Sequence, residues 1–276
     1  MIAPLRGALS AALLGLVACA GAPPALEPFE ARLAGDAIVL LGEVHDNPAH
    51  HAQRLALLER AVARGWRPAL LMEQLDREQQ RAIDGVYRET RAHPERAIET
   101  PPGWDHAFYR PFIALALRYR LPLVAANVSR EDAKRIAREG LGAVFTPEEL
   151  AELGLDVPRP ADWQAAQERE IDAGHCHALP PEVWPSLARV QFARDAVMAA
   201  LLAKHAEHGA VLLAGNGHVR RDLGAPRWLS PELQRRTFVV GYLETGSEPP
   251  PGAFDAVVVT EPAEREDPCA AFGNGV

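Results

Sequence analysis

The sequence predicts an α/β fold: a mostly parallel central sheet flanked by helices, with a helical insertion or cap. Three observations predict it. Short runs rich in Val, Ile and Leu alternate with stretches of helical period, and strands separated by helices imply βαβ crossovers. A long stretch from 131 to 208 has helical sequence with only two interruptions, which reads as a cap over one end of the sheet. Several apolar runs also end in polar residues: Glu43 and His45 after one, Glu73 and Gln74 after the next, Asn216 and His218 after a late one. In open α/β sheets ligands and catalytic groups collect beyond the carboxyl ends of the strands, so these endings point to one shared site.

Taken in order, residues 36–41 form the first strand and 48–64 a helix, with Pro48 suited to its first turn and Gly65 closing it. Residues 69–72 make the next strand, and helices follow over 77–91 and 107–120. Pro122 leads into a strand at LVAAN. The helical middle is broken near 154–160 and again near 174–185, and 210–214, 237–243 and 256–260 read as the closing strands.

A chain of 276 residues with 48% hydrophobic and 24% charged composition fits one large domain after processing. The formal net charge of −8 and the lack of a dense Lys/Arg stripe leave no electrostatic footprint for nucleic acid. At the N-terminus, one basic residue, Arg6, precedes an apolar stretch too short to span a bilayer, which marks residues 1–18 as a secretory signal. Leu16, Val17, Ala18 and Cys19 resemble a bacterial lipobox. That resemblance implies cleavage before Cys19, acylation of its thiol and a lipid-tethered protein of the bacterial cell envelope. Ala20 stands where an inner-membrane retention signal would have aspartate, which favours the outer membrane. Residues 19–30 are then a stiff spacer and 31–276 a single domain. Export allows Cys176 and Cys269 to pair, and ligation of a metal by His175, Cys176 and His177 is the rival reading.

The strand endings carry the chemistry. Glu43 and His45 lie two apart, so on a continuing strand they face one side, where they can bind one cation or share a proton. His50, five residues from His45, is expected to be a solvated helix histidine. Glu73 at a buried strand end needs a cation, an arginine or backbone amides as partner. Gly215 and Gly217 in GNGH allow positive φ and a tight turn that presents Asn216 and His218. Glu43, His45, Glu73 and His218 together suit a divalent metal ion that activates water, or equally a metal-free acid and base. Asn127 ends its strand as Glu73 does, and orients a site group or caps a turn. Gln191 and Asp195, four apart on one helix, have structural explanations, as does Asp105 as a helix cap.

The segments LGEVHDNPAHH, LLMEQ, WDHAFYRPFIALA, PLVAANVSR, QFARDAVMA, LLAGNGHVRRDLGAPRWL and EREDPC together resemble the ChaN-like haem-binding lipoproteins. These belong to the wider Tiki/TraB group, related to erythromycin esterases. The resemblance spans nearly the whole mature chain and implies a lipoprotein of haem or iron uptake. It implies haem as cofactor, held in a homodimer with a tyrosine as axial ligand. Among the tyrosines, Tyr109 lies beside Trp104 and Phe108, aromatic faces suited to flank a porphyrin, and Tyr87 shares a helix face with Ile83. The resemblance to the esterases implies a second function class, a hydrolase working through Glu43, His45, Glu73 and His218.

Overall fold

The computed structural model describes residues 29–89, 93–267 and 269–270. Cys19, the signal and most of the spacer lie outside the described residues. The helix expected over 77–91 is shorter: residues 77–79 form a 3-10 turn and the helix ends at Arg88 with Glu89 as its C-cap. Phe29 lies against Phe238 at 5.8 Å between ring centroids, and Glu30 pairs with Arg60 and Arg64.

The predicted α/β architecture is what the chain adopts. Among the described residues six strands form one sheet: β1 (Ile38–Leu41), β2 (Ala69–Asp76), β3 (Leu123–Asn127), β4 (Ala210–Leu213), β5 (Thr237–Glu244) and β6 (Ala256–Thr260). Their order is β3-β2-β4-β1-β5-β6 and every pair is parallel. Strands buried on both faces read as continuous apolar runs, and all four residues of β1 and of β4 are buried. Val39 and Leu41 pack under α1 (Pro48–Ala63) and α3 (His106–Tyr119), while Ile38 and Leu40 face α7 (Trp184–His205). A period of two thus feeds two cores.

Helix α1 starts where Asn47 accepts hydrogen bonds from the Ala49 and His50 amides, with Pro48 at its first position. Asp105 caps α3 by accepting from the Ala107 amide, as expected. After α2 (Gln80–Arg88), α3 and β3, the cap follows: α4 (Arg130–Glu139), α5 (Pro147–Glu152) and α6 (Ala161–Gly174). It has its own small cores against α7, one around Ile136 and Phe145 and another around Trp163, Phe192 and Leu223. Beyond β4 come the short α8 (Asn216–Val219) and α9 (Pro231–Arg236). Among the described residues no helix is long and apolar enough to cross a membrane.

Two neighbouring strands, β1 and β4, send their chains in opposite directions. From β1 the chain moves through α1 to β2, while from β4 it moves across β1 to β5. Such a switch point opens a crevice at the carboxyl ends of the strands.

Candidate functional site

Residues 42–45 after β1, Glu73 and Gln74 in β2 and residues 214–218 after β4 meet at this crevice. Glu73 and Gln74 lie just past Met72, the last residue of β2 paired with β4. Here β2 also slips its register against β3, between Met72 and Asp76. The side chains that the sequence singled out are therefore brought together, and they form two hydrogen-bonded units.

The first unit is built on Glu43, whose carboxylate is fully buried. Its Oε1 accepts from the Tyr109 hydroxyl at 2.8 Å and from Gln74 Nε2 at 3.1 Å, and lies 2.6 Å from His45 Nδ1. Its Oε2 is paired with Arg54 Nη2, a guanidinium that is itself wholly buried. Burial pulls the Arg54 pKa down to about 10, which leaves it charged at neutral pH. Arg54 Nη1 donates to the Leu41 carbonyl, and His51 Nδ1 sits 3.1 Å from Arg54 Nη2. With Nδ1 facing that donor, His51 donates from Nε2 to the His45 carbonyl. Burial lowers the His51 pKa, in keeping with a neutral ring. Glu43 thus fixes the Nδ1 side of His45, whose half-exposed ring stands edge-on to Trp104 at 4.9 Å.

The second unit runs from Glu73 through His218 to Asp195 on α7. Glu73 Oε2 accepts from the Gly215 amide at 2.7 Å, so a backbone amide is one of its expected partners. Its Oε1 lies 3.5 Å from His218 Nε2, and His218 Nδ1 lies 2.6 Å from Asp195 Oδ1. Burial opposes ionisation of Glu73, yet His218, His45 and the Gly215 amide hold its carboxyl below the ordinary range. Burial also works against a charged His218, but the carboxylates of Glu73 and Asp195 raise its pKa above the usual value. Asp195 is pushed up to about 6 by burial, against the pull of His218.

A pH dependence follows from these directions. A histidine whose folded pKa is raised contributes stability that is complete below its unfolded value of 6.5 and is lost as pH rises through the folded value. Raised Asp195 acts in the same sense from 3.8 upward. Depressed Glu73 contributes above 4.5 and loses it as pH falls through its folded value. The melting temperature is therefore expected to fall as pH rises beyond 6.5. In Asp195→Asn that fall should become shallower and the His218 ring should titrate lower by NMR; an unchanged His218 titration would refute the relay.

GNGH makes the turn differently from the expectation. Gly215 and Gly217 do not take positive φ; Gly215 has φ −59° and caps α8, in which Asn216, Gly217 and His218 lie. Glycine at 215 answers to close approach instead. A Cβ there would fall 2.9 Å from His45 Cε1 and 3.7 Å from Glu73 Oε2. Asn216 fastens the turn to β5, donating to the Tyr242 carbonyl at 2.6 Å and accepting its amide.

Other residues depart from their expected places. His50 is fully buried rather than solvated: its Nδ1 accepts from the Val44 amide and its Nε2 meets Thr260 Oγ1. Asn127 lines a cavity of about 250 Å³ with His45, Trp104, Arg130 and Arg194. Its buried Oδ1 has no hydrogen-bond partner among the described residues. The Tyr109 hydroxyl is spent on Glu43 and that of Tyr87 on the Leu121 carbonyl. Burial raises both phenol pKa values, so neither phenol is poised to ionise. The rival reading of Cys176 falls away, because Cys176 and Cys269 form a disulfide with Cα atoms 5.6 Å apart. Flanking it, His175 bonds the Ile171 carbonyl and His177 bonds Asp172. Among the described residues no group of three or more His, Cys, Asp or Glu side chains is arranged to hold a metal ion.

Both units open into a cavity of about 310 Å³ roofed by α6 through Gln167, Glu170, Ile171 and Gly174. Sequence reasoning gave Asp195 only a structural role, expected His51 with His50 to be a solvated helix histidine although it is buried, and passed over Arg54.

Fold and site define an α/β protein with a polar pocket at the switch point of a parallel sheet and a helical cap above it. The chain belongs to the family described as haem-binding uptake, Tiki superfamily, ChaN, whose match covers residues 29–229. Among solved structures it is similar to ChaN of Campylobacter jejuni, described as showing cofacial haem binding. The TM-score is 0.61 at 20% identity, over 79% of this chain and 84% of that one. An erythromycin esterase mutant in its open conformation matches with a TM-score of 0.43 and 14% identity, over 81% of this chain and 76% of that one. A succinoglycan biosynthesis protein matches at 0.43 and 13%, over 80% and 69%. The last two are too distant to carry an argument. A search of curated proteins found no match.

Proposed function

We propose that this chain is a haem-binding protein of bacterial haem or iron uptake, exported by a signal in residues 1–18 and tethered at Cys19 to the outer membrane. Residues 31–276 act as one domain that pairs with a second copy around haem. The observation that carries the reading is the family match over residues 29–229, which agrees with the motifs in the sequence. Haem supplies an iron centre on an apolar disc with two carboxylates. The hydroxyls of Tyr109 and Tyr87, both already hydrogen-bonded, are poorly placed to bind that iron as phenolates. Titration of the purified chain with haemin is expected to give a saturable Soret shift and, by sedimentation, a shift from monomer to dimer. A spectrum equal to that of free haemin would overturn the reading.

One observation favours a second reading, an acid–base hydrolase. Two imidazoles, each fixed by a carboxylate, line the same cavity at the carboxyl end of the sheet. In this reading His45, oriented by Glu43, is the base and His218 the acid that faces Glu73. The donor arrangement gives less support to a metal-dependent form. A panel of esters and peptides tests it: turnover lost in His45→Ala supports it, and absence of turnover in the wild type removes it.

A further inference from the structure

His45 lines two cavities, the polar pocket already described and the one of about 250 Å³ that it shares with Trp104 and Asn127. The smaller cavity holds two buried hydrogen-bonding atoms of opposite kind that have no partner among the described residues. One is an acceptor, Asn127 Oδ1, and the other a donor, Arg194 Nε. Buried polar atoms are nearly always paired, so two orphans in one cavity call for an explanation.

Asn127 ends β3, is only 4% exposed, and its side chain makes no hydrogen bond to any described residue. Arg194 comes from the middle of α7. Glu73 and Asp195, which feel its charge, are already hydrogen-bonded to the Gly215 amide and to His218. The Arg194 guanidinium itself forms no ion pair or hydrogen bond among the described residues.

A second free guanidinium faces the same space. Arg130 is the first residue of α4, a place where a cation works against the helix dipole instead of with it. No acid among the described residues pairs with it. Its Nη2 lies 3.8 Å from where a Cβ on Gly103 would stand, which sets the guanidinium over the 101–104 loop that walls the cavity. Pro101, Pro102 and Trp104 make that wall apolar. Asp76 is the one acid among the lining residues. Two guanidiniums against one carboxylate leave the wall one positive charge in excess, which a single carboxylate balances.

We infer that this cavity binds a small hydroxy acid with an apolar body. Its carboxylate accepts from Arg194 and Arg130, and its hydroxyl donates to Asn127 Oδ1. Its body lies against Trp104 and the two prolines, beside the His45 ring. A guanidinium and a carboxylate form strong charge-assisted hydrogen bonds. A simple carboxylate has no donor to offer Asn127, whereas a hydroxy acid fills both orphans at once. Few polar groups converging on an apolar wall is the usual composition of a small-molecule site.

The test uses racemic 3-phenyllactate and two relatives that each lack one feature. 3-Phenylpropionate has no hydroxyl, and 3-phenyllactamide has no charge. Each is titrated calorimetrically into the purified chain, and the His45 ring is followed by NMR. The expected result is saturable binding of 3-phenyllactate that shifts the His45 ring signals, with each relative at least tenfold weaker. Arg130→Gln, at an exposed position, should weaken 3-phenyllactate at least tenfold. Either relative binding as tightly as 3-phenyllactate would overturn the inference, as would binding that leaves the His45 signals unmoved. Absence of saturable binding would leave the two orphans to water and overturn it too. The comparison of relatives is made on wild type, so it decides even if the variant does not fold. Haemin plays no part in the titration, so failure here leaves the haem reading to its own test.

Discussion

Glu43→Ala is expected to destabilise the chain by about 3–5 kcal/mol, the cost of leaving a buried charge without its partner. Arg54 has no exposed surface, and its positive charge is balanced at close range by Glu43. Removing the carboxylate strips that guanidinium of its counter-charge and takes an acceptor from the Tyr109 hydroxyl, Gln74 and His45. Glu43→Gln restores the shape but sets an amide donor or a neutral oxygen against Arg54, so it should recover only part of the loss. Changing both partners, Glu43→Ala with Arg54→Met, removes the stranded charge and should be less destabilised than Glu43→Ala alone. Urea unfolding of the four forms measures this. If the double variant is no more stable than the single, the charge pair is not what holds this corner of the fold.

The same network shows where sequence reading succeeds and where it stops. Strands such as IVLL and AVLL are legible because burial on both faces leaves continuous aliphatic runs, and their polar endings follow from the parallel topology. Gathering Glu43, His45, Glu73 and His218 at one sheet end therefore needed only the strand pattern. Their partners come from helices, where side-chain direction depends on packing. Arg54 lies three, four and seven residues before Leu57, Leu58 and Ala61, all buried, so it sits on the apolar stripe of α1, the position where a charge needs a mate. His50 and His51 share that stripe, which is why neither is solvated. Asp195 likewise interrupts an apolar face of α7 between Phe192 and Met198, both buried. An acid or arginine on the core face of a helix was the readable signal. Its partner could not be read, because that depends on the strand order β3-β2-β4-β1-β5-β6. GNGH was misjudged for a related reason: its first glycine serves the His45 ring packed against it, a contact made across the sheet end.

Opening the Cys176–Cys269 disulfide should cost about 2–4 kcal/mol in stability and should act on the site as well as on the fold. The bond closes a separation of 93 residues, and a cross-link of long span removes much freedom from the unfolded chain. In the native state it ties the end of α6 to the C-terminal tail. That tail is anchored near the site by Arg265, which pairs with Asp46 and Glu244. Cys176 and His177 hold left-handed φ values of 56° and 58°, conformations that cost non-glycine residues on the order of 1 kcal/mol or more each. Their amides reach back to Ala173 and Asp172 as a helix ending. Without the cross-link, the turn is held in its strained form by local hydrogen bonds, those amides together with the His175 and His177 side chains. Loosening should spread into Gly174, Ile171 and Glu170, which roof the 310 Å³ cavity. Cys176→Ser/Cys269→Ser is therefore expected to melt lower than wild type and to show faster amide hydrogen exchange in the last two turns of α6, while β1 and β4 exchange as before. Equal exchange in α6, with only a lower melting temperature, would confine the disulfide to the unfolded chain and leave the roof of the site to the packing of Trp163, Ile171 and Phe192.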